Sequence, residues 1–247
     1  MARVTETSAA FDWTAVEAAL FDLDGVLTPT AEVHMQAWDA LFNSYLRAEH
    51  PDQPPYTQAD YFAHVDGKPR YDGVRDFLTS RGIELPEGTV DDDAELDTVH
   101  GLGNRKNVTF NEVLTRDGVR AYPGSVALLD HLATIGVQMA VVSSSKNAPA
   151  VLAAAGLADR FEVVIDGVVA ARLGLPGKPA PDTFQHAADE LGVAHARCIV
   201  LEDAVSGVQA GAAGGFAGVV GVDRGAGSAL ADAGATIVVR DLAELIS

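Results

Sequence analysis

The chain is poor in cysteine and contains no long apolar run. Its 247 residues include one cysteine, Cys198, which excludes an intrachain disulfide and is typical of a reducing compartment. Cys198 lies within an apolar, strand-like run, which favours a small core residue over a nucleophile. No stretch approaches the ~20 apolar residues of a membrane span, and Met1 to Asp12 has no apolar run of signal-peptide length. These absences predict a cytoplasmic protein with no membrane partner.

Positive charge is also scarce. The 17 Lys and Arg residues stand against 35 Asp and Glu, which gives a formal net charge of −18. This excess of negative charge argues against binding to nucleic acids or to anionic membrane surfaces. A phosphorylated small molecule remains possible as a ligand, because a few local cations can dominate one pocket. Hydrophobic residues make up 48% of the chain, which predicts a globular protein, and we expect a monomer.

An apolar run from Val16 to Phe21 is followed by two carboxylates, Asp22 and Asp24, and then by glycine. The run predicts a buried strand, and the carboxyl ends of parallel strands carry the ligand crevice of an α/β sheet. Side chains two positions apart on a strand point the same way, so these carboxylates would repel each other without a cation or a shared proton. The pattern favours a Mg²⁺ site, or a nucleophile beside an acid. A polar turn at the strand end is the alternative.

Strand-like and helical patterns alternate in the rest of the chain. Helical spacing of apolar residues begins at Thr30, and charged helical patterns without a clear strand continue to about Thr115. After a boundary at 121–124, apolar runs predict strands at 137–143, 161–165, 197–202, 217–222 and 236–239. This alternation predicts the α/β class, with a Rossmann-like parallel sheet. We expect a core domain of residues 1–29 and 118–247, an inserted helical cap domain of residues 30–117, and a polar, frayed leader over 1–15.

Four motifs of the chain, taken in order, resemble those of the haloacid dehalogenase superfamily of phosphohydrolases. They are the segment Asp22–Val26, the strand end at Ser143, the lysine Lys178 before a proline, and the pair Glu202-Asp203. The resemblance extends from about Ala19 to the C-terminus. A helical cap inserted after the first motif is a feature of one subclass of this superfamily, which agrees with the expected domain organisation.

The resemblance implies a catalytic role for four of these residues. Asp22 would be the nucleophile that forms an aspartyl phosphate, and Asp24 the general acid and base. Lys178 would place a cation, and Ser143 a hydrogen-bond donor, beside the phosphoryl oxygens. A solvated lysine before a proline turn is the plainer interpretation of Lys178.

The resemblance also implies Mg²⁺ as the cofactor. The ion would be held by the Asp22 carboxylate, the Asp24 backbone carbonyl and Asp203, with Glu202 bound to it or next to its ligands. The plainer interpretation of the pair 202–203 is an N-cap for the helix that follows. Four such motifs in suitable order and strand context favour the catalytic interpretation.

Three segments of the predicted cap, Thr30–His34, Gly67–Arg70 and Asn104–Asn107, and the core segment Ser143–Asn147 resemble those of the β-phosphoglucomutase family. The resemblance implies substrate contacts for eight residues: His34, Trp38, Gly67, Arg70, Lys106, Ser145, Lys146 and Asn147. An arginine offers a planar fork to a phosphate, a lysine offers a point charge, and a histidine can move a proton near neutral pH. In the plainer interpretation, His34 and Trp38 are a packed pair four residues apart on a helix, and Arg70 and Lys106 are solvated.

The resemblance implies a Mg²⁺-dependent phosphomutase that interconverts β-D-glucose 1-phosphate and glucose 6-phosphate through an aspartyl phosphate and a bisphosphate. A sugar-phosphate phosphatase with the same core is the alternative, and a catalytically idle sugar-phosphate sensor is a third hypothesis. The cations Arg70 and Lys106 favour a substrate with two phosphates and hence the mutase. Hinges for the cap are expected near 28–30 and 115–122.

Overall fold

A computed structural model describes residues 11–246, so most of the predicted leader lies outside the described residues. The part that is described departs from the prediction of a frayed leader. Trp13 begins a short 3₁₀ turn, Trp13–Ala15, and is only 6% exposed. Its indole nitrogen donates a hydrogen bond to the carbonyl of Leu245 at 3.0 Å. The prediction of a frayed leader is therefore wrong for residues 13–15, because a buried tryptophan ties them to the C-terminal end.

Six parallel strands form one sheet with the order β3-β2-β1-β4-β5-β6. The strands are β1 Ala18–Phe21, β2 Gln138–Val142, β3 Val163–Ile165, β4 Cys198–Glu202, β5 Gly218–Val222 and β6 Ile237–Val239. Each of them falls within a predicted apolar run. The predicted α/β class and parallel sheet are confirmed.

The helices are α1 Thr30–Glu49, α2 Gln58–Asp60, α3 Arg70–Ser80, α4 Val99–Asp117, α5 Pro123–Ile135, α6 Ala148–Ala154, α7 Gly167–Leu173, α8 Asp182–Leu191, α9 Val205–Ala213 and α10 Ala229–Asp232. A turn of π-helix, Tyr61–Val65, continues α2. None of the helices in residues 11–246 combines the length and the hydropathy that crossing a bilayer requires.

Apolar side chains cover both faces of the sheet, as expected of a parallel sheet. On one face Phe21 packs with Leu128 and other residues of α5, and on the other face Leu20 packs with Phe184 of α8. Full burial of such a side chain stabilises the fold by about 1.5–3 kcal/mol. Cys198 is fully buried in the second of these clusters, which confirms it as a core residue.

The helices between β1 and β2 have a hydrophobic cluster of their own. Phe42 of α1 stacks against Trp38 and packs on Phe77 of α3, with ring centroids 5.2 and 4.1 Å apart. The cluster also includes Leu102 of α4. An independently packed cap needs a separate hydrophobic cluster of this kind. The domain boundaries at residues 30 and 117 stay a prediction.

The two chain segments that connect these helices to the sheet lie side by side. The backbone N–H of Tyr122 donates to the carbonyl of Leu27 at 2.9 Å, and the hydroxyl of Ser125 donates to the carbonyl of Val26 at 2.7 Å. Arg224 stacks over the Tyr122 ring at 4.0 Å and donates to the carbonyl of Gly25 at 2.7 Å. These contacts join the connecting segments to each other next to the first motif.

Candidate active site

The central strands place three motifs side by side at the carboxyl edge of the sheet. Because β1 lies between β2 and β4, Asp22 emerges between Ser143 and the pair Glu202-Asp203. The side chains of Asp22, Ser143 and Glu202 are buried, with 7%, 4% and 0% exposure. Strand order reverses at β1 and β4, and such a point is where α/β sheets bind ligands. The predicted core residues therefore meet at one site.

Lys178 is the central cation of this site. Its Nζ donates to Asp22 Oδ1 at 2.5 Å, to Glu202 Oε1 at 2.6 Å and to the Val142 carbonyl at 3.0 Å. Burial alone would lower the pKa of Lys178, but the two carboxylates raise it above its ordinary value. The lysine is 3% exposed, so the interpretation as a solvated residue is wrong.

Three carboxylates of the site are close enough to bind one metal ion. Ligand oxygens of Asp22, Glu202 and Asp203 all lie within 4.8 Å of one another. Burial and neighbouring carboxylates raise the pKa of both Asp22 and Asp203 well above its ordinary value. Among the described residues, no basic side chain pairs with Asp203. A hard divalent cation with oxygen ligands fits this donor set, because it would offset the repulsion.

Glu202 does not act as a conventional N-cap. The N-cap position of α9 is Ala204, which makes no side-chain capping bond. Glu202 Oε2 instead accepts a hydrogen bond from the Ala204 N–H at 2.9 Å, while Oε1 binds Lys178. The carboxylate therefore joins the lysine to the backbone that precedes the helix.

Because Gly25 has no side chain, the carboxylate of Asp203 can occupy the space beside it. The φ of Gly25 is +84°, and an added Cβ would lie 1.8 Å from Asp203 Oδ2. We expect Gly25→Ala to displace this carboxylate and to lower kcat by at least tenfold. Gly136→Ala is the matched control, because Gly136 has a φ of +76° and no atom within 4 Å of its added Cβ. The control should lose only about 1 kcal/mol of stability through backbone strain. Equal kcat values for the two variants would contradict the role given to this space.

The carboxylate of Asp24 turns away from the other three and towards α1. It accepts a hydrogen bond from the Thr30 hydroxyl and pairs with His34 Nε2 at 3.4 Å. Burial alone would raise the pKa of Asp24, but His34 and Thr30 lower it below its ordinary value. The two aspartates of the first motif therefore have separate environments.

His34 and Trp38 both line the site. His34 stacks on Phe110 of α4 with ring centroids 4.1 Å apart, whereas Trp38 stacks on Phe42. Lys106 contacts His34 Nδ1 and lies 5.1 Å from the centre of the Trp38 ring. Lys106 is 3% exposed, and burial together with Arg70 lowers its pKa well below the ordinary value. The interpretation of Lys106 as a solvated lysine is therefore wrong.

Arg70 is part of a polar bridge between the cap helices and the core. Its Nη2 and the Nδ2 of Asn147 both donate to Asn107 Oδ1, each at 2.7 Å. Lys146 lies 4.9 Å from the centre of the Tyr71 ring, next to this bridge. Cations from the cap and from the core are thus gathered at one end of the site.

A loop that precedes α3 is docked on the core. The hydroxyl of Ser206 donates to the Asp66 carbonyl at 3.1 Å, and that of Ser144 donates to the Gly67 carbonyl at 2.9 Å. An added Cβ at Gly67 would lie 2.2 Å from the Ser206 hydroxyl. No side chain larger than hydrogen fits at position 67 when the loop is docked.

A cavity of about 80 Å³ lies between the cap helices and the carboxyl edge of the sheet. The predicted residues that line it are Asp22, Asp24, His34, Trp38, Gly67, Arg70, Lys106, Ser143, Ser145, Lys146, Glu202 and Asp203. Two predicted residues do not line the cavity but contact its surroundings: Lys178 donates to Asp22, and Asn147 donates to Asn107, which also binds Arg70. The structure thus brings every predicted site residue to one place.

Sequence reasoning missed several residues of the cavity. Tyr61, Val65 and Asp66 line it and belong to the π-helical turn and the loop after it. Thr30 was noted only as the start of a helix, although it donates to Asp24. The position of Asp66 directly before the Gly67 segment was the one available signal.

The fold and the site are those of a haloacid dehalogenase-like hydrolase, and a family model of that description matches residues 16–215. The chain belongs to this family. The β-phosphoglucomutase of Mycobacterium bovis is 50% identical over 94% of this chain and 92% of its own length. The β-phosphoglucomutase of Bacillus subtilis is 33% identical over 93% of this chain and 92% of its own length. The solved structure of β-phosphoglucomutase from Clostridium difficile has a TM-score of 0.75 at 25% identity and covers 93% of both chains.

Proposed function

We propose that the chain is a Mg²⁺-dependent phosphomutase that interconverts β-D-glucose 1-phosphate and glucose 6-phosphate. The carrying observation is a single cavity with Asp22 and Lys178 at the sheet edge and with Arg70 and Lys106 on the cap helices. A sugar with two phosphates requires cations at both ends of its site. Relatives at 50% and 33% identity that are named β-phosphoglucomutase support the same substrate.

Asp22 is the group that attacks phosphorus. A bond forms between its carboxylate oxygen and phosphorus while the bond to the sugar oxygen breaks. Burial raises the pKa of Asp22, and the positive charge of Lys178 opposes this rise. The same charge is placed beside the phosphoryl oxygens. The Ser143 hydroxyl accepts from the Ser145 N–H at 3.1 Å, so its own proton is available to a phosphoryl oxygen.

Asp24 moves the proton of the sugar hydroxyl. Its lowered pKa keeps it ionised, so it can accept a proton from a hydroxyl that attacks the aspartyl phosphate. In the reverse transfer it returns this proton to the leaving sugar oxygen. His34 and Thr30 hold the carboxylate in place for both steps.

Mg²⁺ would be held by the carboxylates of Asp22 and Asp203 and the backbone carbonyl of Asp24, with Glu202 beside them. When bound, the ion neutralises negative charge on the transferring phosphoryl group. Lys178 forms ion pairs with both Asp22 and Glu202, but its single positive charge offsets only one of these two carboxylates.

Residues 30–117 act as a cap that excludes water from the aspartyl phosphate. The docked loop, the Asn107 bridge and the His34 contact to Asp24 close the cavity around the substrate. Movement of the cap would occur at the paired connecting segments near 28–30 and 115–122. The cytoplasmic location and the monomeric state stay predictions.

One assay tests the proposal directly. The protein is incubated with β-D-glucose 1-phosphate, Mg²⁺ and a trace of the 1,6-bisphosphate, and glucose 6-phosphate is measured against free phosphate. A mutase forms much more glucose 6-phosphate than free phosphate. Phosphate release that matches substrate consumption would instead identify a sugar-phosphate phosphatase.

Arg70→Ala is expected to lower the mutase kcat/KM strongly. It removes a charge-assisted contact to the distal phosphate, worth about 2–4 kcal/mol when desolvated. Hydrolysis of acetyl phosphate should be largely preserved, because this ester has no distal phosphate. Arg75→Ala is the matched control, since Arg75 lies on the same helix but pairs with Asp72 and Glu87 at the surface. Unchanged conversion of glucose 1-phosphate by Arg70→Ala would contradict the role of Arg70 and favour a phosphatase.

A further inference from the structure

The cavity contains a carboxylate that the proposed chemistry does not use. Asp66 follows the π-helical turn 61–65, and its side chain lines the cavity. Among the described residues of the lining, Asp66 is the one carboxylate supplied by segment 30–117. The other four carboxylates lie at the sheet edge and have roles in catalysis or metal binding.

The backbone around Asp66 has an uncommon conformation. The N–H of Asp66 donates to the Tyr61 carbonyl at 3.0 Å, which completes a bond across five residues. Such π-helical turns are rare and occur often at functional sites. The turn places Tyr61 and Asp66 together on the cavity. Burial raises the pKa of Asp66 to about 7, and the neighbouring Tyr61 phenol acts against this rise. The result is a phenol and a carboxyl group side by side.

Docking of the loop does not require the Asp66 side chain. The core holds this loop through the main-chain carbonyls of Asp66 and Gly67, which accept from Ser206 and Ser144. Asp66 lines the cavity, and the contacts that dock the loop leave its carboxyl group unused. It is therefore available to a ligand.

Charge decides which part of a sugar phosphate this carboxylate can contact. A carboxylate repels a phosphate group, and the phosphates already have Lys178 at one end and Arg70, Lys106 and Lys146 at the other. The carboxyl group of Asp66 can accept a hydrogen bond from a hydroxyl when it is ionised, and it can also donate one when it is protonated. Its favourable partner on a sugar phosphate is therefore a ring hydroxyl.

We propose that Asp66, positioned by Tyr61, is a specificity-determining residue that accepts a hydrogen bond from one ring hydroxyl of the hexose phosphate. This inference rests on the proposed function, because it takes a sugar phosphate as the ligand. A site that hydrogen-bonds a substrate hydroxyl discriminates strongly against an analogue without it.

The test compares Asp66→Ala and Asp66→Asn with the wild type on β-D-glucose 1-phosphate and its 2-, 3- and 4-deoxy analogues. Total turnover is measured as isomerised product plus free phosphate. For Asp66→Ala we expect a loss of about tenfold to a hundredfold in kcat/KM on the glucose substrate. The penalty for one deoxy analogue should disappear, while the penalties for the other two persist. Tyr61→Phe should show a smaller change of the same kind.

Asp72→Asn is the matched control, because it removes an exposed carboxylate of α3 that pairs with Arg75 outside the cavity. Hydrolysis of acetyl phosphate, which has no ring hydroxyl, should be equal in all variants. An Asp66→Ala enzyme that keeps all three deoxy penalties would overturn the inference, as would an equal loss of acetyl phosphate hydrolysis.

Failure of the proposed function has a different signature. If the wild type releases phosphate instead of forming an isomer, the mutase proposal fails, and the deoxy comparison scored on phosphate release still decides the role of Asp66. Absence of turnover with every hexose phosphate would overturn both.

Discussion

Replacement of Asp22 by Asn is expected to lower kcat by several orders of magnitude. The amide keeps the shape of the side chain but cannot attack phosphorus. At the end of β1, between β2 and β4, Asp22 Oδ1 lies 2.5 Å from Lys178 Nζ. Among the described residues, no other carboxylate occupies this position. The measurement is kcat for conversion of β-D-glucose 1-phosphate.

Two controls separate lost chemistry from lost folding. Asp130→Asn removes an exposed carboxylate that pairs with Arg160 on the surface, and its kcat should equal that of the wild type. The Asp22→Asn change removes the ion pair with Lys178, but it also removes one of several clustered negative charges. The melting temperature should therefore stay close to that of the wild type. Retention of more than about a tenth of the wild-type kcat would contradict the assignment of Asp22 as the nucleophile, because a tenfold loss corresponds to only ~1.4 kcal/mol.

Removal of metal is expected to abolish turnover, and Mg²⁺ should restore it. The reason is the group of three carboxylates within 4.8 Å of one another, for which Lys178 is the only basic partner within the described residues. EDTA treatment followed by titration with Mg²⁺ measures this effect. Beryllium fluoride with Mg²⁺ should inhibit, because it mimics a phosphoryl group on Asp22. Full activity of a metal-free preparation would contradict the site.

A measurement of stability tests the same site without catalysis. An ion that binds only the folded state raises the melting temperature with concentration. We expect Mg²⁺ to stabilise the wild type and to have little effect on Asp203→Asn, in which one ligand is lost. Equal stabilisation of the two proteins would place the ion elsewhere.

The sheet and most of the site were predictable from local sequence patterns. The central strands β1 and β4 are short apolar runs that are buried along their whole length. Hydrophobicity therefore indicates where the strands lie, as in β2, predicted at 137–143 and observed at Gln138–Val142. Asp22 and Ser143 come directly after such runs. Parallel strands then bring their carboxyl ends to one edge.

Other features depend on contacts between distant segments and were not predictable. Lys178 is buried because Asp22, 156 residues away, and Glu202, 24 residues away, both pair with it. The π-helical turn 61–65 has no pattern of its own, so Tyr61 and Asp66 were missed. Trp13 was assigned to a frayed leader because its partner, Leu245, lies at the other end of the chain.

Attachment of the docked loop through main-chain carbonyls has an evolutionary consequence. Every residue except proline presents the same backbone N–H and C=O groups. The side chain at position 66 can therefore vary while Ser206 and Ser144 still hold the loop. Gly67 has no such freedom, because Ser206 fills the space beside it. A lineage can therefore acquire a new sugar preference by a single substitution at position 66 without first rebuilding the closure of its cap.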